Sequence, residues 1–124
     1  MKKLLLACMM MLAGSAWAQW QEFIQNDTSV SYIDLETIRK DGNLRKIWVL
    51  LNYAEKDIDG KMSARTRQEF DCKEERRRVL TISTHSEAMA GGKQLFSHTL
   101  DTPKWEEIPP NTNYMTLLKL VCAK

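Results

Sequence analysis

The sequence predicts an α+β fold: a single small antiparallel β-sheet with a C-terminal α-helix packed on it and held by one disulfide. Three observations carry this. Short runs of alternating apolar residues, separated by turns marked with Gly or Pro, recur from Val30 to Leu100. An apolar stripe of helical period closes the chain between Tyr114 and Cys122. Two cysteines, Cys72 and Cys122, follow an export-type leader.

The leader is read first because it fixes the compartment. Lys2-Lys3 precede an apolar run from Leu4 to Ala13, and Ala16-Trp17-Ala18 forms an A-x-A site for cleavage between Ala18 and Gln19. The run from Leu4 to Ala18 is 15 residues, short of the roughly 20 needed to cross a bilayer as a helix. No second such stretch follows, so the mature chain is expected to carry no transmembrane segment. Leu5-Leu6-Ala7-Cys8 looks like a lipoprotein box, but most of the apolar run follows Cys8 instead of preceding it. The expected organisation is therefore a signal peptide over residues 1–18 and one domain over 19–124. The product is exported, either periplasmic or on the outer surface or secreted.

Charge narrows the partners. Removing the leader takes two of the 18 basic residues and none of the 16 acidic ones, leaving 16 of each. A neutral domain lacks the basic surplus from which nucleic-acid binding draws most of its affinity, so no nucleic acid is expected.

Along the domain, Val30 to Ile33 reads as a short strand. Asp34 to Ile38 reads as a helical turn capped by the Asp34 carboxylate. Asp41-Gly42 turns the chain. Leu44 to Tyr53 is the strongest strand: Ile47, Val49, Leu51 and Tyr53 share one face, and Trp48 and Leu50 make the other apolar too, as in a central strand. Asp59-Gly60 marks the next turn. From Met62 to Lys73, Arg65, Arg67, Glu69 and Asp71 alternate with Ala64, Thr66, Gln68, Phe70 and Cys72. Cys72 thus points away from its charged neighbours.

Arg78 to Thr84 continues as a strand with Leu80 and Ile82 on one face, then come a loop around Gly91-Gly92 and a strand from Gln94 to Leu100. Pro103, Pro109 and Pro110 interrupt the chain around Trp105. Asn111-Thr112-Asn113 supplies cap candidates for a helix running to about Ala123, with Tyr114, Leu117, Leu118, Val121 and Cys122 on its inner face.

Both cysteines are therefore expected to face inward, one from the sheet and one from the helix. An even count in a small exported domain favours pairing them. The competing readings lack support: there is no C-x-x-C or H-x-x-x-H for a metal, and no local signature placing a histidine beside a nucleophilic thiol. A helix of about a dozen residues is marginal alone in water, so a crosslink pinning it to the sheet has a structural purpose.

The stretches "VSYIDLETIRKDGNLRKIWVLLNY", "SARTRQEFDCKEERRRVL", "MAGGKQL" and "WEEIPPNTNYMTLLKLVC" come in this order. As an ordered set, from roughly Trp20 to Cys122, they resemble the surface-adhesin E family of proteobacteria. The resemblance implies a small antiparallel sheet whose C-terminal helix is tethered by the Cys72–Cys122 disulfide. It further implies an adhesin-like module that recognises host extracellular-matrix proteins or other protein or glycan ligands. The alternative is a periplasmic protein that binds a small ligand or supports envelope homeostasis, with no adhesive role.

Three candidate sites stand out. Arg76, Arg77 and Arg78, with Arg65 and Arg67 on the preceding strand, form a candidate basic patch for an acidic glycan or protein segment, against which Glu69, Asp71, Glu74 and Glu75 offer compensation. His85 and His98 would face each other across a two-residue turn at Gly91-Gly92; a slip of one residue separates them and unites Leu80 and Ile82 with Phe96 and Leu100, which the apolar pattern prefers. Trp20, Trp48 and Trp105 could line a groove, although large aromatics in so small a domain are expected in its core. No metal or cofactor is expected. The absence of G-x-S-x-G, H-E-x-x-H and phosphate-cradling loops points away from an enzyme, with no catalytic residues assigned.

Overall fold

The computed structural model describes residues 19–123. The expected leader, residues 1–18 with Cys8 and Ala18 of the expected cleavage point, lies outside the described residues, as does Lys124. Six strands run as an antiparallel meander, β1 (Gln21–Gln25), β2 (Ser29–Asp41), β3 (Leu44–Tyr53), β4 (Ser63–Asp71), β5 (Arg76–Glu87) and β6 (Gly91–Thr99), each beside the next. A two-residue strand, β7 (Glu106–Glu107), pairs with the start of β5, and helix α1 (Asn113–Cys122) ends the chain. No described helix is long and apolar enough to cross a membrane.

β3 has the bounds its alternation predicts, and β4 alternates throughout as expected, with Ile47, Val49 and Phe70 on the face toward α1. At the β2–β3 turn Gly42 adopts φ +58°, a conformation glycine enters without steric cost. The expected helical turn at Asp34–Ile38 is not present: these residues form an irregularity within β2, where pairing jumps from Asp34–Trp48 to Arg39–Lys46. The reason is that side chains replace the ladder there. Asp34 Oδ1 accepts from the Glu36 amide at 3.1 Å, while Thr37 Oγ1 donates to the Asp34 carbonyl at 2.6 Å and accepts from the Trp48 amide at 3.2 Å. The Asp34 carboxylate caps a bulge tied to β3, and the insertion drops Leu35 and Ile38 onto the core.

The β5–β6 turn also differs, lying at Ala88–Ala90 with Gly91 and Gly92 already in β6. Neighbouring strands hold it. The Met89 amide donates to Asn52 Oδ1 at 2.8 Å and the Ala90 amide to Ser63 Oγ at 3.0 Å, fixing both residues at φ +59°. The register pairs Ile82 with His98 and Thr84 with Phe96, as the apolar pattern prefers, and puts His85 and His98 on opposite faces.

The core lies between one face of the sheet and α1. Met115, Leu117, Leu118 and Val121 of the helix meet Ile33, Ile47, Val49 and Phe70, and Ile108 closes the side. Tyr114, expected on the inner stripe, is instead 37% exposed, and Met115 takes the inward place. Thr112 is the N-cap, its Oγ1 accepting from the Met115 amide at 3.3 Å. At the other end of the helix a disulfide joins Cys122 to Cys72, with a Cα–Cα distance of 5.9 Å and 50 residues between them in sequence.

Candidate functional site

The strand register decides how the five candidate arginines are grouped. Side chains of β4 alternate, so Arg65, Arg67, Glu69 and Asp71 line the face away from α1, and the pairings Asp71–Arg76 and Glu69–Arg78 bring Arg76 and Arg78 to that face. Arg77 is opposite Phe70, on the helix side. The structure thus brings together four of the five and separates Arg77 from them.

Those four are not equivalent. Glu69 and Asp71 are buried, and each meets an arginine: Arg78 Nη2 lies 2.6 Å from Glu69 Oε1 and Arg76 Nε 3.0 Å from Asp71 Oδ2. The Trp105 indole stacks against both guanidinium groups, at 4.5 Å from Arg76 and 4.1 Å from Arg78. Burial pushes the Asp71 carboxyl up, but the Glu74 amide, the Arg76 side chain and the Lys73 amide together outweigh it and hold the group below the ordinary carboxylate value. Arg77 is held by Gln68 at 3.3 Å, by Glu106 at 3.7 Å and against the Tyr114 ring at 3.7 Å.

Arg65 and Arg67 lie over Trp48, at 4.6 and 5.9 Å from its ring centre. Among the described residues neither has a carboxylate within ion-pairing distance, and Arg65 Nε is buried without a hydrogen-bond partner. Their strand neighbours on β5 are Ser83 and Thr81. The result is a pair of planar cations preset on an aromatic plate. Such a surface suits carboxylate or sulfate groups.

One further contact had no counterpart in the sequence reading: Ser83 Oγ lies 2.8 Å from His85 Nε2. Both side chains are only 6% exposed. Burial, and then the positive charge of Arg65, hold the imidazole below its ordinary value, so it is neutral at physiological pH. Among the described residues no carboxylate accepts from the second ring nitrogen to support an imidazolium, and the pair serves as a satisfied buried contact. The i, i+2 spacing of Ser83 and His85 on one strand was its only sequence signal.

None of the three tryptophans is part of the buried core. Trp48 and Trp105 serve instead as platforms for arginines, and Trp20 is half-buried at the N-terminal edge. The sheet face toward α1 carries a different feature, an open cavity of about 480 Å³ beside the first turn of the helix.

The family model described as surface-adhesin protein E matches residues 17–123. The chain belongs to that family. Solved structures of Haemophilus influenzae protein E share its fold. Crystal form II gives a TM-score of 0.63 at 15% identity, covering 88% of this chain and 91% of that one. Protein E from non-typeable Haemophilus influenzae gives 0.61 at 14% identity, covering 89% and 79%. A search of curated proteins found no significant match. The meander, the C-terminal helix and the Cys72–Cys122 crosslink accord with what family resemblance implied for the fold.

Proposed function

We propose that this surface-adhesin E family member is an exported, non-catalytic binding module that recognises an acidic protein segment or glycan outside the cell. The observation that carries the reading is the uncompensated pair Arg65 and Arg67 on Trp48, on the same face where Arg76 and Arg78 are matched by buried carboxylates. Docking through the candidate patch is thereby concentrated on Arg65 and Arg67, with Arg76 and Arg78 at its border and Arg77 outside it on the other face. The reading includes export, with signal cleavage between Ala18 and Gln19; an intact mass beginning at Gln19 supports it, and a lipid-modified Cys8 as first residue opposes it.

Binding to immobilised heparin and to an acidic matrix protein tests the patch. Affinity is expected to fall as salt rises, because exposed charges are screened over about 8 Å at physiological ionic strength. Replacing both residues in Arg65→Gln/Arg67→Gln is expected to weaken binding about tenfold with the circular dichroism spectrum unchanged. Salt-independent binding that the double substitution leaves intact overturns the reading. Protease treatment of intact cells separates the surface location from the alternative periplasmic role, which the cavity beside α1 favours.

A further inference from the structure

The inner face of the sheet is only half covered. A ten-residue helix extends about 15 Å, whereas the ten residues of β3 extend about 33 Å. Because the disulfide fixes the end of α1 at Cys72, beside the β4–β5 turn, the helix begins part-way along the sheet. Beyond its first turn the same face continues through Leu51, Thr66 and Ile82 with no element over it among the described residues, and these three are half-buried. The floor dips there because Ala64, Thr66 and Ser31 are small. Thr112, Asn113 and Tyr114 form one wall of the resulting cavity of about 480 Å³.

We infer that this cavity is a binding site for a small neutral amphiphile, a molecule with an apolar body and an uncharged hydrogen-bonding group. Its volume lies within the range of roughly 300–1,000 Å³ of small-molecule sites. The lining defines the chemistry: no Asp, Glu, Lys, Arg or His side chain contributes to it, although 27% of the chain is charged. A charged ligand would lose hydration there with no ionised side chain in the lining to pair with, since the nearest cations, Arg77 and Lys61, are already engaged by Glu106 and Asp57. The apolar floor of Val49, Leu51 and Ile82 takes the body of the molecule. The polar end has partners in the hydroxyls of Ser31 and Tyr53 and the amide of Asn113, side chains that make no hydrogen bond within the described residues. Gln68 is already committed, donating to Thr66 Oγ1 at 2.9 Å and accepting from Arg77 at 3.3 Å, and so stiffens the floor. This site is independent of the arginine pair, which lies on the other face of the sheet.

Two dyes with the same aromatic framework make the test. N-phenylnaphthylamine is neutral, and anilinonaphthalene sulfonate adds one negative charge to it. Titration of the full exported protein is expected to show saturable one-to-one binding of the neutral dye, with the sulfonate binding at least tenfold more weakly. Thr66→Leu, which fills the floor, and Asn113→Trp, which blocks the mouth from an exposed position, are each expected to weaken the neutral dye tenfold or more. Thermal melts verify folding, and Asn113→Trp carries the test alone if Thr66→Leu fails to fold. Equal affinity for the two dyes overturns the neutral class. Absence of saturable binding, or affinity unchanged in the folded variants, overturns the site.

Discussion

The two halves of the inner sheet face make the instructive comparison. Toward the β4–β5 turn, Ile47 and Phe70 are fully buried under α1, and a disulfide holds the helix in place. Toward the β3–β4 and β5–β6 turns, the same strands present Leu51, Thr66 and Ile82 half-buried beside an open cavity. One half is arranged for stability, and the other leaves apolar surface without a cover among the described residues. The difference follows from helix length and from where the crosslink fixes its end. It teaches that stability in this domain is localised, so substitutions of the same kind should have unequal effects along a single strand face.

The largest expected effect comes from breaking the crosslink. Closing a loop across a separation of 50 residues contributes about 4 kcal/mol in the chain-entropy model. Cys72→Ser or Cys122→Ser should therefore lower the unfolding free energy by roughly that amount and loosen α1. Denaturant melts and hydrogen exchange of the α1 amides check this. Intact α1 protection in either variant would show that packing alone holds the helix and would weaken the contrast between the halves.

A matched pair of truncations sharpens the comparison. Leu117 is fully buried under the covered half, and Leu51 is half-buried in the open half. Leu117→Ala should cost about 3 kcal/mol, within the range for leucine truncation in a packed core. Leu51→Ala should cost about 1 kcal/mol, since its side chain loses less packing on removal. Equal costs from chemical denaturation would mean that the open half is as well packed as the covered one.

Much of this arrangement was legible in the sequence, and the failures have physical causes. β3 was readable because a central strand covered on both sides is apolar on both sides, and the cysteine pair because Cys72 and Cys122 fall on inward positions of a period-two and a period-3.6 pattern. The Asp34–Ile38 segment misled because an Asp side chain that caps a helix can equally cap a bulge. What decides is the Thr37 hydroxyl reaching the Trp48 amide 11 residues away, which no local pattern contains. The β5–β6 turn was misplaced for the same reason: Asn52 and Ser63, on other strands, hold Met89 and Ala90 in the left-handed region that Gly91-Gly92 seemed meant to supply. The arginine patch was seen as composition, but its division into matched and unmatched cations depends on register. The cavity was missed altogether, because it arises from the extent of α1 relative to the sheet it packs on.

Acid should disturb the two ends of the sheet in sequence, and this is the smallest effect expected. His85, paired with Ser63 toward the open end, is buried and neutral, with its affinity for a proton lowered by burial and by Arg65. Between the unfolded and the depressed folded value the unfolded chain binds the proton and the native one does not, so stability rises with pH across that window. It is therefore fully present above about pH 6.5 and declines as pH falls below it. Asp71, beside the crosslinked turn, is also depressed, so its contribution is present above the ordinary carboxylate value and is lost only as pH falls through its lower folded one. From pH 7.5 to 5 the open end should accordingly loosen while the covered end holds. Hydrogen exchange, corrected for its intrinsic pH dependence, should show the β5–β6 amides losing protection over this range, with α1 unaffected. In His85→Gln the side-chain amide can still bond Ser83 but cannot titrate, and the loss should vanish. An unchanged pH response in that variant would assign the acid sensitivity to a group other than His85.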